Sequence, residues 1–130
     1  MLFRSDGAPR VGVCLDTCHL VASGYDIVSE EGYAQTFAEF DRLVGLPRLK
    51  VFHGNDSKKP CGSRVDRHEH IGEGCIGLEP FRRLLHDQRF TDLPLLIETA
   101  KARGSEKAGT IVEDPFDVKN LTTLRRLRAA

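Results

Sequence analysis

The sequence contains no apolar run that approaches the roughly 20 residues needed to span a bilayer. Its first ten residues, MLFRSDGAPR, also lack the apolar stretch of a secretory signal peptide. Neither sign of charge is in excess, because 19 Lys and Arg residues balance 19 Asp and Glu residues. These absences predict no membrane partner and a cytoplasmic location. They also mean that nucleic-acid binding has no support from net charge and must be argued from a site.

Cysteine pairs of the CxxC type, which are typical of closed structural zinc sites, are absent. The four cysteines are Cys14, Cys18, Cys61 and Cys75. Without a secretory signal, a disulfide framework is not expected. A zinc site formed by Cys14, Cys18 and Cys61 stays open as an alternative. The CxxxC spacing nevertheless favours small thiols that are buried or half-buried.

Repeats, low-complexity tracts and interdomain linkers are absent too, which predicts one domain over residues 1–130. Apolar segments predict strands at residues 11–15, 49–52 and 94–97. Helical spacing predicts helices at residues 30–44 and 78–86 and a third helix capped by Asp114, with Val118, Leu121, Leu124 and Leu127 on one face. The alternation of strands and helices predicts an α/β fold with a parallel sheet and right-handed crossovers.

Each predicted strand ends in, or just before, a side chain that can bind a metal: Asp16, His53 and Glu98. Because side chains alternate across a strand, these three share a face with Cys14, Val51 and Leu96, respectively. The carboxyl ends of parallel strands form the functional edge of α/β proteins. Taken singly, an acid after a strand is more often a cap and a histidine more often structural. The presence of possible metal ligands at the corresponding position of all three strands favours a functional site instead.

A polar, glycine-rich segment of residues 54–74 follows His53 and is too long merely to join a strand to a helix. It contains Asp66, His68 and His70, and a carboxylate with one or two imidazoles is a typical ligand set for zinc. His19 follows Asp16 by three residues and is within reach of the same region. Oxygen and imidazole ligands without a required thiolate predict a catalytic metal site rather than a structural one.

Four segments in this order resemble the successive motifs of the endonuclease IV family: GVCLDTCH (12–19), FHGNDSK (52–58), DRHEHIGEG (66–74) and LLIET (95–99). The members of that family are zinc-dependent apurinic/apyrimidinic endonucleases of DNA base-excision repair. The resemblance implies a (βα)8 TIM barrel of the xylose-isomerase-like superfamily, of which this chain would form about three C-terminal βα units. It also implies hydrolysis of the phosphodiester on the 5′ side of an abasic site in double-stranded DNA.

The resemblance assigns two sets of zinc ligands. His19, Asp66 and His68 correspond to the ligands of one ion, whereas Asp16, His53 and Glu98 correspond to those of another. Cys14 and Cys18 are then motif residues without a metal role, His70 belongs to the loop structure and His86 to the surface. Lys58 and Arg67 lie beside the ligands in sequence, so we expect them to help neutralise DNA phosphate.

The family's earlier strands supply two histidines to a first zinc and a glutamate that bridges two ions, and nothing here corresponds to them. Of three zinc ions, the chain would hold one complete and one partial site, so we expect weak or no incision by the isolated polypeptide. A partial barrel also leaves strand edges and an inner face uncovered, which predicts binding to a missing N-terminal half or self-association. A sugar-phosphate isomerase or epimerase of the same superfamily and a non-catalytic zinc-binding remnant are the alternatives.

Overall fold

The computed structural model describes residues 10–102 and 113–130. Residues 1–9, which belong to the predicted domain and to the N-terminal segment without signal-peptide character, lie outside the described residues. The elements in chain order are β1 (Val13–Asp16), α1 (Thr17–Ala22), α2 (Glu30–Leu43), β2 (Leu49–His53), β3 (Asp56–Ser57), β4 (His68–Glu69), α3 (Leu78–His86), β5 (Leu95–Leu96) and α4 (Pro115–Ala129). Single turns of 3-10 helix precede β2 and β5. Within these ranges no helix is long and apolar enough to cross a membrane.

The central sheet has the strand order β1-β2-β5, and both strand pairs are parallel, which confirms the predicted α/β architecture. In its last row Asp16 lies beside His53, and His53 beside Leu96. Strand β1 begins two residues later than predicted and includes Asp16, because Val13 is the first residue paired with β2. The register therefore brings the ends of all three strands to one edge.

One face of the sheet carries the core, which the helices cover. Helix α2 begins after Ser29, whose side chain caps Gly32, and it buries Tyr33 and Phe37. The ring of Phe37 lies 4.9 Å from that of Phe90, which in turn lies 5.0 Å from the ring of Phe52 on β2. Such tilted and edge-on aromatic contacts add to the free energy gained from burial. The aromatic cluster thus fixes α2 against the strand that carries His53.

The predicted apolar face of α4 is correct only in part. Leu124 is buried, whereas Val118 is 41% exposed and Asn120 is buried in its place. Positions three apart are separated by about 300° on a helix, so an every-third pattern drifts around the axis and cannot keep one face. The side chain of Asn120 uses the buried position to accept a hydrogen bond from the backbone of Ile71.

Two features between β1 and α3 were not predicted. Helix α1 begins immediately after β1, and the long polar segment contains a small antiparallel sheet of β3 and β4. The carboxylate of Asp56, which is fully buried, accepts hydrogen bonds from four backbone N–H groups, those of Ser57, Gly72, Ile76 and Gly77. Asp56 therefore folds this segment back over the edge of the main sheet.

Candidate metal centre

The side chains at the ends of the three main strands meet. Nδ1 of His53 lies 2.5 Å from Oε1 of Glu98, which is a direct hydrogen-bonding contact, and 3.9 Å from Oδ2 of Asp16. The side chain of Asp16 is 17% exposed, that of His53 31% and that of Glu98 50%. These three residues form a group that opens to solvent on the side of Glu98.

The β3–β4 segment brings further ligands to the same carboxylate. Nε2 of His68 lies 3.5 Å from Oδ2 of Asp16 and 3.7 Å from Oδ1 of Asp66. Oδ2 of Asp66 in turn lies 3.1 Å from Nδ1 of His19. All six residues that the resemblance assigned as ligands therefore lie in one continuous chain of contacts, in the order Glu98, His53, Asp16, His68, Asp66 and His19.

The tautomer of His68 follows from its contacts. Its Nδ1 lies 3.0 Å from the carbonyl oxygen of Glu98, and since a carbonyl only accepts, Nδ1 carries the proton. With that proton on Nδ1, Nε2 of His68 faces two carboxylates, and a metal ion between these groups would bind all three. Two ligand atoms each about 2.1 Å from a tetrahedral ion lie about 3.4 Å apart, close to the separations around Nε2. The donor set therefore fits a divalent metal with imidazole and carboxylate ligands.

Asp16 serves the fold and the site with different oxygens. Its Oδ1 accepts from the backbone N–H of His19 at 3.1 Å and so caps α1. Its Oδ2 faces the two imidazoles of His53 and His68. The cap role and the metal role, which were alternatives from the sequence, are thus compatible in one carboxylate.

Asn55 supports the centre and was not singled out from the sequence. The residue is fully buried, and its Nδ2 donates to Oδ2 of Asp16 at 3.0 Å. Its Oδ1 accepts from the backbone N–H of Glu98 at 2.7 Å. The available signals were its position two residues after the end of β2 and its place in the motif FHGNDSK. A polar side chain buried at such a position requires hydrogen-bond partners.

Cys18 lies close to Asp16, Asp66 and His68 and completes a group of four possible ligands. Burial raises the pKa of the Cys18 thiol to about 12, so the thiol is protonated at neutral pH and donates to the carbonyl oxygen of Arg67. Burial also raises the pKa of Asp66, but the hydrogen bond from His19 and the neighbouring Cys18 and His68 outweigh it and hold that pKa below its ordinary value. In the metal-free chain Asp66 is therefore an anion, whereas Cys18 is a neutral thiol.

The predicted burial of the cysteines is wrong for three of the four. All four are free thiols, but Cys14, Cys61 and Cys75 are exposed and only Cys18 is buried. Cys14 lies on the face of the sheet that also carries Leu96, which is 53% exposed, and Cys61 and Cys75 lie in or just after the long polar segment. The general tendency of free cysteines to be buried therefore did not predict the exposure of these three.

The two cations expected to contact DNA phosphate are exposed and adjacent. The backbone N–H of Lys58 donates to the carbonyl oxygen of Arg67 at 3.0 Å, next to the β3–β4 pairing. Arg67 stands between the two predicted ligands Asp66 and His68. Both side chains therefore project from the backbone that delivers part of the metal centre.

Glu69, His70 and Glu73 form another group of possible ligands. Here Lys119 already forms an ion pair with Glu73 at 2.5 Å, and the amide of Asn120 donates to Nδ1 of His70 at 2.9 Å. The ring of His70 also packs on Phe116. These contacts support the assignment of His70 to loop structure. The exposed His86 is hydrogen-bonded to the carbonyl of Leu127, in agreement with its expected place at the surface.

The family model of the xylose isomerase-like TIM barrel matches residues 1–117 of the chain. The chain belongs to this family. The relatives to which the chain is similar include two proteins named probable endonuclease 4. The protein from Geobacter sulfurreducens is 57% identical over 118 residues, which make up 91% of this chain and 37% of the relative. The protein from Chloroflexus aurantiacus is 58% identical over 118 residues, which make up 91% of this chain and 38% of the relative.

Among solved barrels of this kind, the crystal structure of endonuclease IV from Thermus thermophilus matches with a TM-score of 0.73 and 37% identity. The match covers 89% of this chain and 38% of that chain. The resemblance to endonuclease IV and the partial-barrel fold predicted from the four motifs are both confirmed. The chain spans 37–38% of the length of these relatives.

Proposed function

We propose that this chain is part of a zinc-dependent AP endonuclease of the endonuclease IV type, which hydrolyses the phosphodiester 5′ to an abasic site in double-stranded DNA. The single observation that carries the proposal is the continuous chain of contacts that joins Glu98 to His19 through four other predicted ligands. Six residues that lie in four separate motifs meet at one edge of the sheet. Relatives named probable endonuclease 4 support the same reading.

The ligands divide into two sets in this proposal. His19, Asp66 and His68 hold one zinc ion, and Asp16, His53 and Glu98 contribute to a second. Zinc bound there would act as a Lewis acid on a phosphate oxygen and favour attack by water at neutral pH. Because the two sets lie along one chain of contacts, ions bound by them would lie near each other, and one phosphate could contact both.

The protein groups around the ligands supply position and charge. Lys58 and Arg67 extend from the backbone beside the ligands and would pair with phosphates that flank the abasic site. Asp66, whose pKa is held low by hydrogen bonds from its neighbours, stays ionised and keeps its charge for the metal. A phosphate that approaches this edge would therefore meet the metal ligands together with the adjacent cations Lys58 and Arg67.

The remaining ligands of the family come from strands to which no segment of this chain corresponds. We therefore infer that residues 1–130 form a single partial domain and that the isolated polypeptide has weak or no incision activity. The side of the sheet that carries Cys14 and Leu96 is exposed, and the side chain of Leu96 is 53% exposed. Further strands of a barrel, in the same chain or in a second one, would cover this face.

The test uses the purified chain, added zinc and a duplex oligonucleotide with one central tetrahydrofuran abasic analogue. We expect the zinc-loaded chain to bind this duplex more tightly than an undamaged duplex of the same sequence, and a chelator to abolish the preference. A variant in which Lys58 and Arg67 are both changed to Gln should bind more weakly, whereas a matched change of Arg82 and Arg125, on the helical side, should not.

Each outcome decides a different part of the proposal. Binding with little incision supports a partial repair endonuclease, while efficient chelator-sensitive incision would overturn the expectation of weak activity alone. Equal affinity for both duplexes, with no incision, would contradict the endonuclease function. Zinc binding without any DNA preference would favour the non-catalytic reading. Turnover of a keto-sugar phosphate instead would favour the isomerase.

A further inference from the structure

Of the three ligands that follow the main strands, Glu98 is the one whose position the sheet determines least. Strand β5 contains only Leu95 and Leu96, and its last backbone hydrogen bond to the neighbouring segment runs from Gly54 N–H to the carbonyl of Leu96. Glu98 lies two residues beyond that bond, and its side chain is 50% exposed. Backbone pairing therefore does not by itself set the distance from Glu98 to the other ligands.

The side chain of Asn55 bridges this gap. Its Oδ1 must be the atom that faces Glu98, because the Glu98 backbone N–H can only donate. This leaves Nδ2 to donate to Oδ2 of Asp16, the oxygen that also faces His53 and His68. One amide group therefore connects the carboxylate at the end of β1 with the backbone that carries the ligand after β5.

Asn55 is itself held rigidly. Its backbone N–H donates to Oγ1 of Thr17 at 2.9 Å, and its carbonyl accepts from the same hydroxyl at 2.6 Å. Thr17 is the first residue of α1 and, like Asn55, is almost completely buried. A buried amide whose oxygen and nitrogen both bond to fixed groups has little freedom to rotate.

We propose that Asn55 is a positioning residue that sets the spacing between Asp16 and Glu98 for a shared metal ion. This inference rests on the metal centre of the proposed function. Its donated hydrogen bond fixes one lone pair of Asp16 Oδ2 and leaves the other directed at the imidazoles. Through the hydrogen bond that its Oδ1 accepts, Asn55 also fixes the position of the Glu98 backbone relative to Asp16. Partners of this kind, one bond removed from the metal, contribute about 10–100-fold to metal affinity.

The experiment titrates the full 130-residue chain with Co²⁺ alone and follows its visible absorption, which reports both affinity and coordination geometry. Asn55→Leu is similar in size and removes both hydrogen bonds. We expect its Kd for Co²⁺ to rise by about 10–100-fold and the shape of its absorption band to change. Asn120→Leu is the matched control: Asn120 is equally buried and hydrogen-bonded, but it touches none of the six ligands.

An unchanged affinity and spectrum in Asn55→Leu would overturn the proposal, and so would equal losses in the two variants, because these would reflect a general loss of packing. If Asn55→Leu does not fold, the side-chain amide resonances of the wild-type chain decide. On addition of Zn²⁺ those of Asn55 should shift and those of Asn120 should not, and the absence of a shift at Asn55 would overturn the proposal. Failure of the wild-type chain to bind either metal would instead contradict the metal centre of the proposed function.

Discussion

Nδ1 of His68 donates to the carbonyl oxygen of Glu98, so the backbone of one predicted ligand orients the ring of another. The hydrogen bond connects β4 of the small sheet to the segment after β5 of the main sheet. A hydrogen bond from the ring nitrogen that does not bind the metal fixes the tautomer of a metal-binding histidine. The two sheets therefore share the centre, and neither one forms it alone.

Loss of His68 should weaken metal binding more than loss of any supporting residue. His68→Gln removes the Nε2 donor that faces Asp16 and Asp66, so we expect the Kd for Zn²⁺ to rise by more than the roughly 10–100-fold typical of an outer partner. Isothermal titration calorimetry measures this directly. His86→Gln, at an exposed histidine that lies outside every motif and is hydrogen-bonded to the carbonyl of Leu127, is the control and should leave the Kd unchanged.

Zinc should stabilise the folded chain, because the six ligands come together only when the strands pair. A ligand that binds only the folded state at 100 times its Kd adds about 2.7 kcal/mol to the free energy of unfolding. Thermal unfolding followed by circular dichroism should therefore show a higher Tm with zinc and a return to the lower value with a chelator. The same Tm under both conditions would be evidence against a metal centre.

The buried carboxylate of Asp56 should be among the most sensitive positions of the chain. Asp56→Ala leaves four backbone N–H groups without an acceptor, two of them in buried hydrogen bonds and two in partly buried ones, and we expect the free energy of unfolding to fall by about 3 kcal/mol or more. Urea denaturation measures the change. Asp92→Ala, at an exposed carboxylate, should stay within about 0.5 kcal/mol of wild type.

Asp87 should contribute to the acid sensitivity of the fold. Burial raises the pKa of its carboxyl, but hydrogen bonds from Arg89 and Tyr33 outweigh burial and hold that pKa below its ordinary value. A lowered folded-state pKa gives stability that is present above the unfolded value, about 3.9, and is lost as the pH falls through the folded one. In Asp87→Asn the Tm should accordingly fall less steeply between about pH 5 and pH 2.

Tyr33→Phe, which deletes one of the two donors to Asp87, should give an intermediate slope of Tm against pH. Identical slopes for the wild-type chain and Asp87→Asn would show that other carboxyl groups account for the acid sensitivity. Asp26, whose pKa is lowered chiefly by the hydroxyl of Ser29, is the first of these to examine.

The four thiols should react in two classes. Cys14, Cys61 and Cys75 are exposed, so a thiol reagent such as dithionitrobenzoate should modify three thiols rapidly in the native chain. Cys18 is buried and its pKa is about 12, so it should react only as the chain unfolds. Release of four equivalents at the rapid rate would contradict the placement of Cys18 in the interior.

The fold was largely predictable because its signals are local and periodic. Helix α3 has the predicted bounds, and α2 ends one residue earlier than expected, since each follows from an apolar stripe and the residues that end it. Periodicity could not show that α1 follows β1 without a loop or that Asn120 replaces Val118 in the core. Both depend on contacts with residues distant in sequence.

The ligands were predictable as chemical types at strand ends, and the resemblance supplied their grouping. The supporting residues were not, because their role depends on which backbone groups they meet. Asn55 and Asp56 look alike in sequence, yet one connects two strand ends and the other folds a loop. Only the geometry separates these roles.

Helix α1 follows β1 without a loop. At this junction the number of residues is therefore more strictly limited than their type. Asp16 ends the strand and caps the helix, so no residue between them can absorb an insertion. One residue added within the first turn would rotate His19 by about 100° around the helix axis and carry it away from Asp66. Functional homologues should therefore keep the spacing from Asp16 to His19 invariant, while the exposed residues 59–61 are free to differ in number.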